Sequence, residues 1–166
     1  MRSRVMFIAG LAVLGWLAAA CGSTSAAGTP ASSPTATSEY GLGVTAATRI
    51  AVANNSKLGR ILVDASGRTL YLFAADKGAA SVCYADCAAA WPPVLTTGAP
   101  QADAGVDPSL LGTTMRSDGT AEVTYAGHPL YYFIADKKPG DATGEGVNGF
   151  GAPWYVLTAS GMQVGG

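Results

Sequence analysis

The sequence is poor in charge, and above all in positive charge and histidine. Charged residues make up 13% of its 166 residues, and there is a single histidine. The ten Lys and Arg residues are outnumbered by eleven Asp and Glu, and they form no basic patch. A nucleic-acid-binding surface needs clustered Lys and Arg to neutralise phosphates. We therefore expect no nucleic-acid partner.

The usual signatures of catalysis and of metal binding are also missing. There is no Gly-x-Ser-x-Gly elbow, and no Ser or Cys has recognisable triad partners. The only histidine, His128, stands in a Gly-His-Pro context that is typical of a turn. The glycine-rich segment Gly140–Gly151 lacks the lysine and following helix of a phosphate loop. We expect no enzymatic activity, no cofactor and no metal site.

The most apolar run is short for a transmembrane helix. It covers Val5–Ala20 after the basic start Met1–Arg4, and a bilayer span needs about 20 residues. It ends in small residues directly before a cysteine, Leu17-Ala-Ala-Ala-Cys21, which resembles the lipobox of bacterial lipoproteins. The resemblance implies a signal peptide over residues 1–20 and lipid on Cys21, anchoring the chain to the outer face of the bacterial cell membrane. An ordinary signal peptide and an uncleaved anchor are the alternatives.

The residues after the cysteine form a linker of low complexity. Ser, Thr, Ala, Pro and Gly dominate up to Gly43, which predicts a flexible tether over residues 21–43. Residues 44–166 then fit a single domain. Without Arg2 and Arg4 the chain keeps 10 − 2 = 8 Lys and Arg against 11 Asp and Glu, a net charge near −3.

Three cysteines leave one unpaired in an exported protein. If Cys21 carries lipid, Cys83 and Cys87 remain to form a disulfide in an oxidising compartment. Their spacing is one residue longer than the Cys-x-x-Cys of thiol–disulfide enzymes, and no thioredoxin-like βαβ pattern surrounds them. A structural bridge is favoured. A redox or metal-handling role for this pair, with His128 as a further ligand, remains the alternative.

The chain contains an internal repeat. Gly67–Lys77 recurs sixty residues later as Gly127–Lys137, and the match extends backwards without a gap from residues 59–77 to 119–137. A tryptophan follows each copy, Trp91 and Trp154. The repeat predicts two similar structural units, over about residues 44–98 and 110–166.

Short β-type runs separated by turn signals fill both units. We predict a mainly β fold in which two pseudo-symmetric repeats form a small sandwich or barrel. One short helix, Tyr84–Trp91, follows the first repeat and is stopped by Pro92 and Pro93. Residues 96–108 and 140–153 are predicted loops. The predicted strands are Arg49–Ala53, Gly59–Asp64, Thr69–Ala74, Thr113–Arg116, Ala121–Tyr125, Pro129–Ile134, Trp154–Thr158 and Met162–Val164.

The repeated aromatic and acidic residues allow two interpretations. The motif strand is apolar on both faces, which predicts a central strand covered on two sides and its aromatic rings in a shared core, although they could instead line a groove. The two aspartates could face each other and bind a cation or share a proton. We favour the simpler hypothesis that each accepts backbone N–H groups at a strand end. The motif residues are Tyr71, Phe73, Asp76, Tyr131, Phe133 and Asp136.

Several separated motifs together resemble one family. Tyr71-x-Phe73-x-x-Asp76 and its second copy, Cys83-x-x-x-Cys87 before Trp91-Pro-Pro, and Gly140–Gly149 before Trp154 resemble the secreted repeat lipoproteins with a Tyr-x-(Phe/Trp/Tyr)-x-x-Asp motif. The resemblance covers about Gly43 to the C-terminus. That family is of unknown function, so the resemblance implies an exported location and a two-repeat architecture but no reaction.

We therefore expect a membrane-anchored, extracytoplasmic module that binds a partner without catalysis. The partner would be a protein of the cell envelope or a small molecule. Binding sites concentrate on loops held by a scaffold. The candidate binding residues are His128, Asp141, Glu145, Trp91 and Trp154.

Overall fold

A computed structural model of the chain describes residues 47–165. The predicted signal peptide, the lipid site at Cys21 and the tether over residues 21–43 lie outside these residues.

The described chain is mainly β, as the sequence predicts, with three small sheets of three strands each. Their strand orders are β2-β1-β4, β3-β9-β8 and β5-β6-β7. The sheets do not close into a barrel. The elements in chain order are β1 Arg49–Asn55, β2 Gly59–Asp64, β3 Tyr71–Phe73, α1 Asp86–Ala90, β4 Gln101–Ala102, a 3-10 helix Pro108–Leu110, β5 Leu111–Met115, β6 Ala121–Tyr125, β7 His128–Pro129, β8 Asn148–Gly149 and β9 Ala152–Val156.

The boundaries of several elements differ from the prediction. The helix is shorter than Tyr84–Trp91 because Ala85, directly before it, has a left-handed φ of 51°. The predicted loops contain the short strands β4 and β8. After Pro129 the chain pairs through single bonds, such as Ile134 N to Ala90 O at 3.0 Å, so Pro129–Ile134 is not a continuous strand. Short pairings of this kind leave no signal in a local sequence pattern.

The two repeats complete each other. In the first, Leu62 N donates to Leu157 O of the second repeat at 2.8 Å. In the second, Val123 N donates to Val94 O of the first repeat, also at 2.8 Å. Because each hairpin is also bonded to a segment of the other repeat, the two repeats form one interlocked domain.

This pairing corrects the gapless alignment of the repeats. Leu62 and Val123 are equivalent, since each donates to the other repeat and accepts from the residue at 70 or 130, whereas the sequence alignment matches Leu62 with Glu122. The segment from 62 to 70 spans 70 − 62 = 8 residue steps and that from 123 to 130 spans 130 − 123 = 7. The turn at Ala126 is tighter, with a left-handed φ of 50°. The hairpins are therefore related by a shift of 61, and the motif strands by 60.

Two apolar clusters form the core, and the motif strand lies between them, as predicted from its two apolar faces. Leu70 and Leu72 enter the first cluster, and Tyr71 and Phe73 enter the second. The first comprises Ile50, Leu62, Leu70, Leu72, Val94, Val106, Val123, Tyr125, Leu130 and Leu157. The second comprises Ile61, Val63, Tyr71, Phe73, Cys83, Cys87, Trp91, Tyr131, Trp154 and Val156.

Candidate functional site

The tyrosine of each motif binds the aspartate of the other motif. Tyr71 Oη donates to Asp136 Oδ2 at 2.6 Å, and Tyr131 Oη donates to Asp76 Oδ2 at 2.7 Å. Both tyrosines are fully buried. Burial raises the pKa of both hydroxyls well above the usual range of tyrosine, so both remain protonated donors.

The second oxygen of each aspartate holds the loop that follows it. Asp76 Oδ1 accepts from Val82 N at 2.8 Å, and Asp136 Oδ1 accepts from Thr143 N at 3.0 Å and from its hydroxyl at 2.6 Å. These bonds agree with the hypothesis that each aspartate accepts backbone N–H groups at a strand end. Burial raises the pKa of Asp76, while the N–H of Val82 opposes this shift. Both aspartates therefore fix loops in addition to binding tyrosines.

Four aromatic rings stack between the repeats in the order Phe133, Trp91, Trp154 and Phe73. Successive ring centroids are 4.1, 4.0 and 4.1 Å apart, and the two indoles are inclined by only 3°. Trp91 and Trp154 are 1% and 0% exposed. Neither tryptophan therefore presents its ring to a ligand in solution, although the sequence suggested both as binding residues.

The two motif tyrosines close this stack edge-on. Tyr71 meets Trp91 at a centroid distance of 5.3 Å, and Tyr131 meets Trp154 at 5.1 Å, with interplanar angles of 78° and 87°. Edge-to-face and offset-stacked rings each add stability beyond their buried area. The aromatic residues of the motif therefore belong to the shared core.

The other predicted binding residues lie in two separate clefts. His128 is half-buried and lines a cleft of about 530 Å³ together with Asp76 and Met162. Asp141 and Glu145 line another cleft, of about 420 Å³. The structure thus brings Asp141 and Glu145 together and leaves His128 apart from them.

Both carboxylates of the second cleft also stabilise the backbone around it. Asp141 Oδ2 accepts from Lys137 N at 3.0 Å and Lys138 N at 3.2 Å. Glu145 Oε2 accepts from Val156 N at 2.6 Å. Burial raises the pKa of Glu145, and the bond from Val156 N opposes this rise.

Cys83 and Cys87 form a disulfide that spans the start of α1. The two residues are 0% and 7% exposed. They belong to the second core cluster, so the bridge ties the helix to the same core that holds the motif tyrosines.

Sequence reasoning missed a buried ion pair beside this disulfide. Arg116 Nη1 lies 2.8 Å from Glu122 Oε2 and donates to Ser81 Oγ at 2.8 Å. Its Nη2 donates to the carbonyl of Cys83 at 2.6 Å, and its guanidinium lies 4.4 Å from the ring centroid of Tyr84. Arg116 therefore joins the β5–β6 hairpin to the disulfide segment.

The carboxylate of this pair is fully buried and incompletely bonded. Glu122 is 0% exposed, and its Oε1 has no partner among the described residues. Burial raises its pKa to about 7, although Arg116 opposes this shift. Glu122 occupies the position of Ile61 in the first repeat, because the two form equivalent bridges to Leu95 and Thr158. Only the corrected alignment could have identified Glu122 from the sequence, because it matches this acidic residue with Ile61, a buried aliphatic residue of the first repeat.

A third and wider groove contains none of the predicted site residues. Its volume is about 700 Å³, and it lies between the β5–β6 hairpin and residues 95–98. None of the described residues that line it is charged. The lining side chains include Thr48, Leu95, Thr96, Thr113, Thr120 and Ala121.

Residues 47–165 contain neither a cluster of metal ligands nor a membrane-spanning helix. No three His, Cys, Asp or Glu side chains in this part of the chain lie close enough together to hold a metal ion. No helix in the same range is long and apolar enough to span a membrane.

The chain belongs to a family described as a secreted repeat of unknown function. The family matches twice, over residues 52–95 and 112–158, so each match contains one Tyr–Phe–Asp motif. The protein is accordingly an exported, two-repeat β protein. No curated protein and no solved structure matches the chain.

Proposed function

We propose that this protein is a lipid-anchored, extracytoplasmic module that binds a component of the cell envelope and performs no catalysis. One observation carries the proposal: the side chains of the repeated motif bind one another at the centre of the fold. Tyr71 and Asp136 pair across the repeats, as do Tyr131 and Asp76. The motif then serves as a scaffold, and the surface grooves are left for binding.

The lipid anchor rests on the N-terminal sequence. Small residues precede Cys21 at the end of the apolar run, and the family is described as secreted. With Cys21 acylated, the remaining two cysteines are both used in the Cys83–Cys87 disulfide. This accounts for the odd number of cysteines.

Burial of the disulfide supports a structural role over a redox role. Thiol–disulfide exchange requires a thiolate to reach one of the sulfurs. Cys83 and Cys87 are 0% and 7% exposed, and the carbonyl of Cys83 accepts a bond from buried Arg116. We therefore place the structural bridge first.

Intact mass spectrometry of the membrane-extracted protein tests the anchor. We expect the mass of a chain that begins at Cys21 and carries diacylglycerol and acyl groups. A Cys21→Ala variant should lack this mass and leave the membrane fraction. A mature chain whose Cys21 thiol is free would overturn the anchor.

Photo-crosslinking in living cells tests the binding role. A photoreactive residue is placed at one exposed position in each cleft, Ser56, Met162 or Thr113, and at Ala65 as a control on an exposed turn. We expect a discrete crosslinked product from at least one cleft position and none from Ala65. Absence of a product from all three clefts would overturn the binding function.

A further inference from the structure

The two repeats differ in how their first hairpin is covered. In the first repeat, strand β4 adds to β1 in parallel, with Gln101 N to Thr48 O at 2.9 Å and Asp103 N to Ile50 O at 2.8 Å. We call residues 101–106 the cover segment. It closes the edge of β1 with main-chain hydrogen bonds.

The cover segment then crosses the face of the same hairpin. A Cβ on Gly105 would lie only 2.7 Å from Arg60 Nη2 and 3.6 Å from Val52 Cβ, so the backbone passes close to both residues. Val106 is 8% exposed and belongs to the first core cluster, against which Val52 packs. The segment thus covers both an edge and a partly apolar face.

The equivalent face of the second repeat is the wide groove. With Leu62 equivalent to Val123, the strand pairings make Val52 equivalent to Thr113. By the same register Arg60 is equivalent to Ala121. Thr113 and Ala121 both line the groove of about 700 Å³. The groove is therefore the uncovered counterpart of the surface over which Gly105 passes.

The edge of β5 is open as well. Within residues 47–165, β5 pairs with β6 alone. The bonds Arg116 N to Thr120 O and Ala126 N to Leu110 O place the even-numbered residues toward β6. Thr113 and Met115 consequently direct their N–H and C=O groups outward, and Met115 is 69% exposed. An unpaired edge of this kind accepts an added strand.

We propose that this groove and the β5 edge bind an extended, uncharged peptide segment of a partner protein, which covers this hairpin as the cover segment covers the hairpin of the first repeat. The inference rests on the proposed binding function and names its site and partner chemistry. Main-chain bonds to β5 supply affinity, and side chains of the peptide occupy the groove. These bonds form at Thr113 and Met115, further along the strand than those of β4, because the counterparts of Thr48 and Ile50 are Ser109 and Leu111, which lie at the 3-10 helix.

The charge of the ligand follows from the lining of the groove. In the first repeat Arg49 pairs with Asp103 and donates to Gln101 Oε1 at 2.9 Å, which anchors the cover segment. The counterpart of Arg49 is Leu110, which lies in the 3-10 helix and packs against the first core cluster, and none of the described residues that line the groove is charged. The groove should therefore prefer a peptide with an apolar residue in place of Asp103.

Amide hydrogen exchange measured by NMR on the full-length protein tests this proposal. The probe is the synthetic peptide Gln-Ala-Leu-Ala-Gly-Val, which is the cover segment with Leu in place of Asp103. At saturation we expect exchange at Thr113 and Met115 to slow about tenfold or more, because their N–H groups gain acceptors. Gly112 and Thr114 should not change, since both already face β6. The native sequence Gln-Ala-Asp-Ala-Gly-Val should bind several-fold more weakly, because its carboxylate would enter a groove that none of the described residues lines with charge.

Two matched variants separate the groove from general charge effects. Thr113→Lys places a charge in the groove and should abolish the slowing. Ala65→Lys adds the same charge on the exposed turn after β2 and should leave it intact. Equal thermal unfolding midpoints would show that both variants are folded.

Several outcomes would overturn the inference. One is the absence of saturable slowing with this peptide and with peptides selected from a displayed library against the wild type. Another is slowing in the free protein that depends on protein concentration, which would assign the edge to a second copy. A third is slowing in the free protein that disappears when residues 22–46 are deleted, which would assign it to this chain's own N-terminal segment. Crosslinks at Ser56 or Met162 without peptide binding at Thr113 would overturn the inference but would still support the proposed binding function.

Discussion

Tyr71 and Tyr131 exchange a pair of backbone hydrogen bonds, each 2.9 Å long, at the point where the two repeats meet. The hydroxyl of each tyrosine also donates to the motif aspartate of the other repeat, Tyr71 to Asp136 and Tyr131 to Asp76. Neither repeat therefore contains all the partners of its own motif. The two copies must fold together, which explains why a motif that recurs in the sequence builds only one domain.

Removing the hydroxyl of one motif tyrosine, and with it the hydrogen bond to the aspartate of the other repeat, should destabilise the whole domain. Tyr71→Phe leaves Asp136 without its 2.6 Å donor, and a bond to a carboxylate is worth about 1–2 kcal/mol here because the aspartate is only half-buried. Chemical denaturation measures this loss. Tyr155→Phe is the control, because the hydroxyl of Tyr155 has no hydrogen-bond partner among the described residues and the residue is half-buried. Equal unfolding free energies for the two variants would contradict a stabilising role for the Tyr71–Asp136 hydrogen bond.

The Glu122 carboxyl should make stability depend on pH near neutrality. Burial raises its pKa from 4.5 to about 7, so the folded state holds the proton more tightly than the unfolded state. This contribution is complete below pH 4.5 and is lost as the pH rises through about 7, at up to about 1.4 kcal/mol per pH unit.

Glu122→Gln isolates this effect, because other carboxyls titrate equally in both proteins. The unfolding free energy of the wild type minus that of the variant should fall as the pH is raised from 5 to 7.5, by about 1–3 kcal/mol. Urea titrations at several pH values measure it. A difference that stays constant over this range would show that Glu122 has the same pKa folded and unfolded.

The disulfide should resist mild reductant and contribute stability. Closing so short a loop is worth about 2 kcal/mol in the chain-entropy account. A Cys83→Ser, Cys87→Ser double variant should unfold at correspondingly lower denaturant while keeping its circular dichroism spectrum. Thiol labelling of the native wild type should stay near zero until the protein is unfolded. Rapid labelling of both thiols in the native state after mild reduction would instead favour the redox hypothesis.

Truncating one indole of the aromatic stack should cost far more than truncating an exposed ring. Trp91→Ala removes a fully buried side chain between two stacked rings, and losses of about 3–5 kcal/mol are typical of such changes. Phe150→Ala is the control, because Phe150 is 52% exposed at the tip of the β8–β9 hairpin. Denaturation midpoints for the two variants that lie close together would contradict the central role of the stack.

The mainly β fold, the two repeats and the short helix could all be predicted from the sequence. Alternation over Leu70–Phe73 predicted a strand covered on both faces, and the structure confirms it with a different core cluster on each side. These features are local, because strand periodicity and turn residues act over a few neighbouring positions. The burial of Tyr71 and Tyr131 followed from the same alternation.

The sequence by itself determined the longer strands of the two hairpins, the turns between them and the doubling of the unit. Only the tertiary structure decided which partner each element meets. From the sequence, Trp91 and Trp154 were candidates for ligand binding, but in the folded domain the two indoles stack on each other between the repeats. Glu122 is an unremarkable strand residue until a one-residue shift of the hairpin places it against Arg116. The open groove exists because the cover segment lies over the β1–β2 hairpin, whereas no described segment covers the β5–β6 hairpin. Such pairings join residues that are far apart in the chain, so they cannot be predicted from a local sequence pattern.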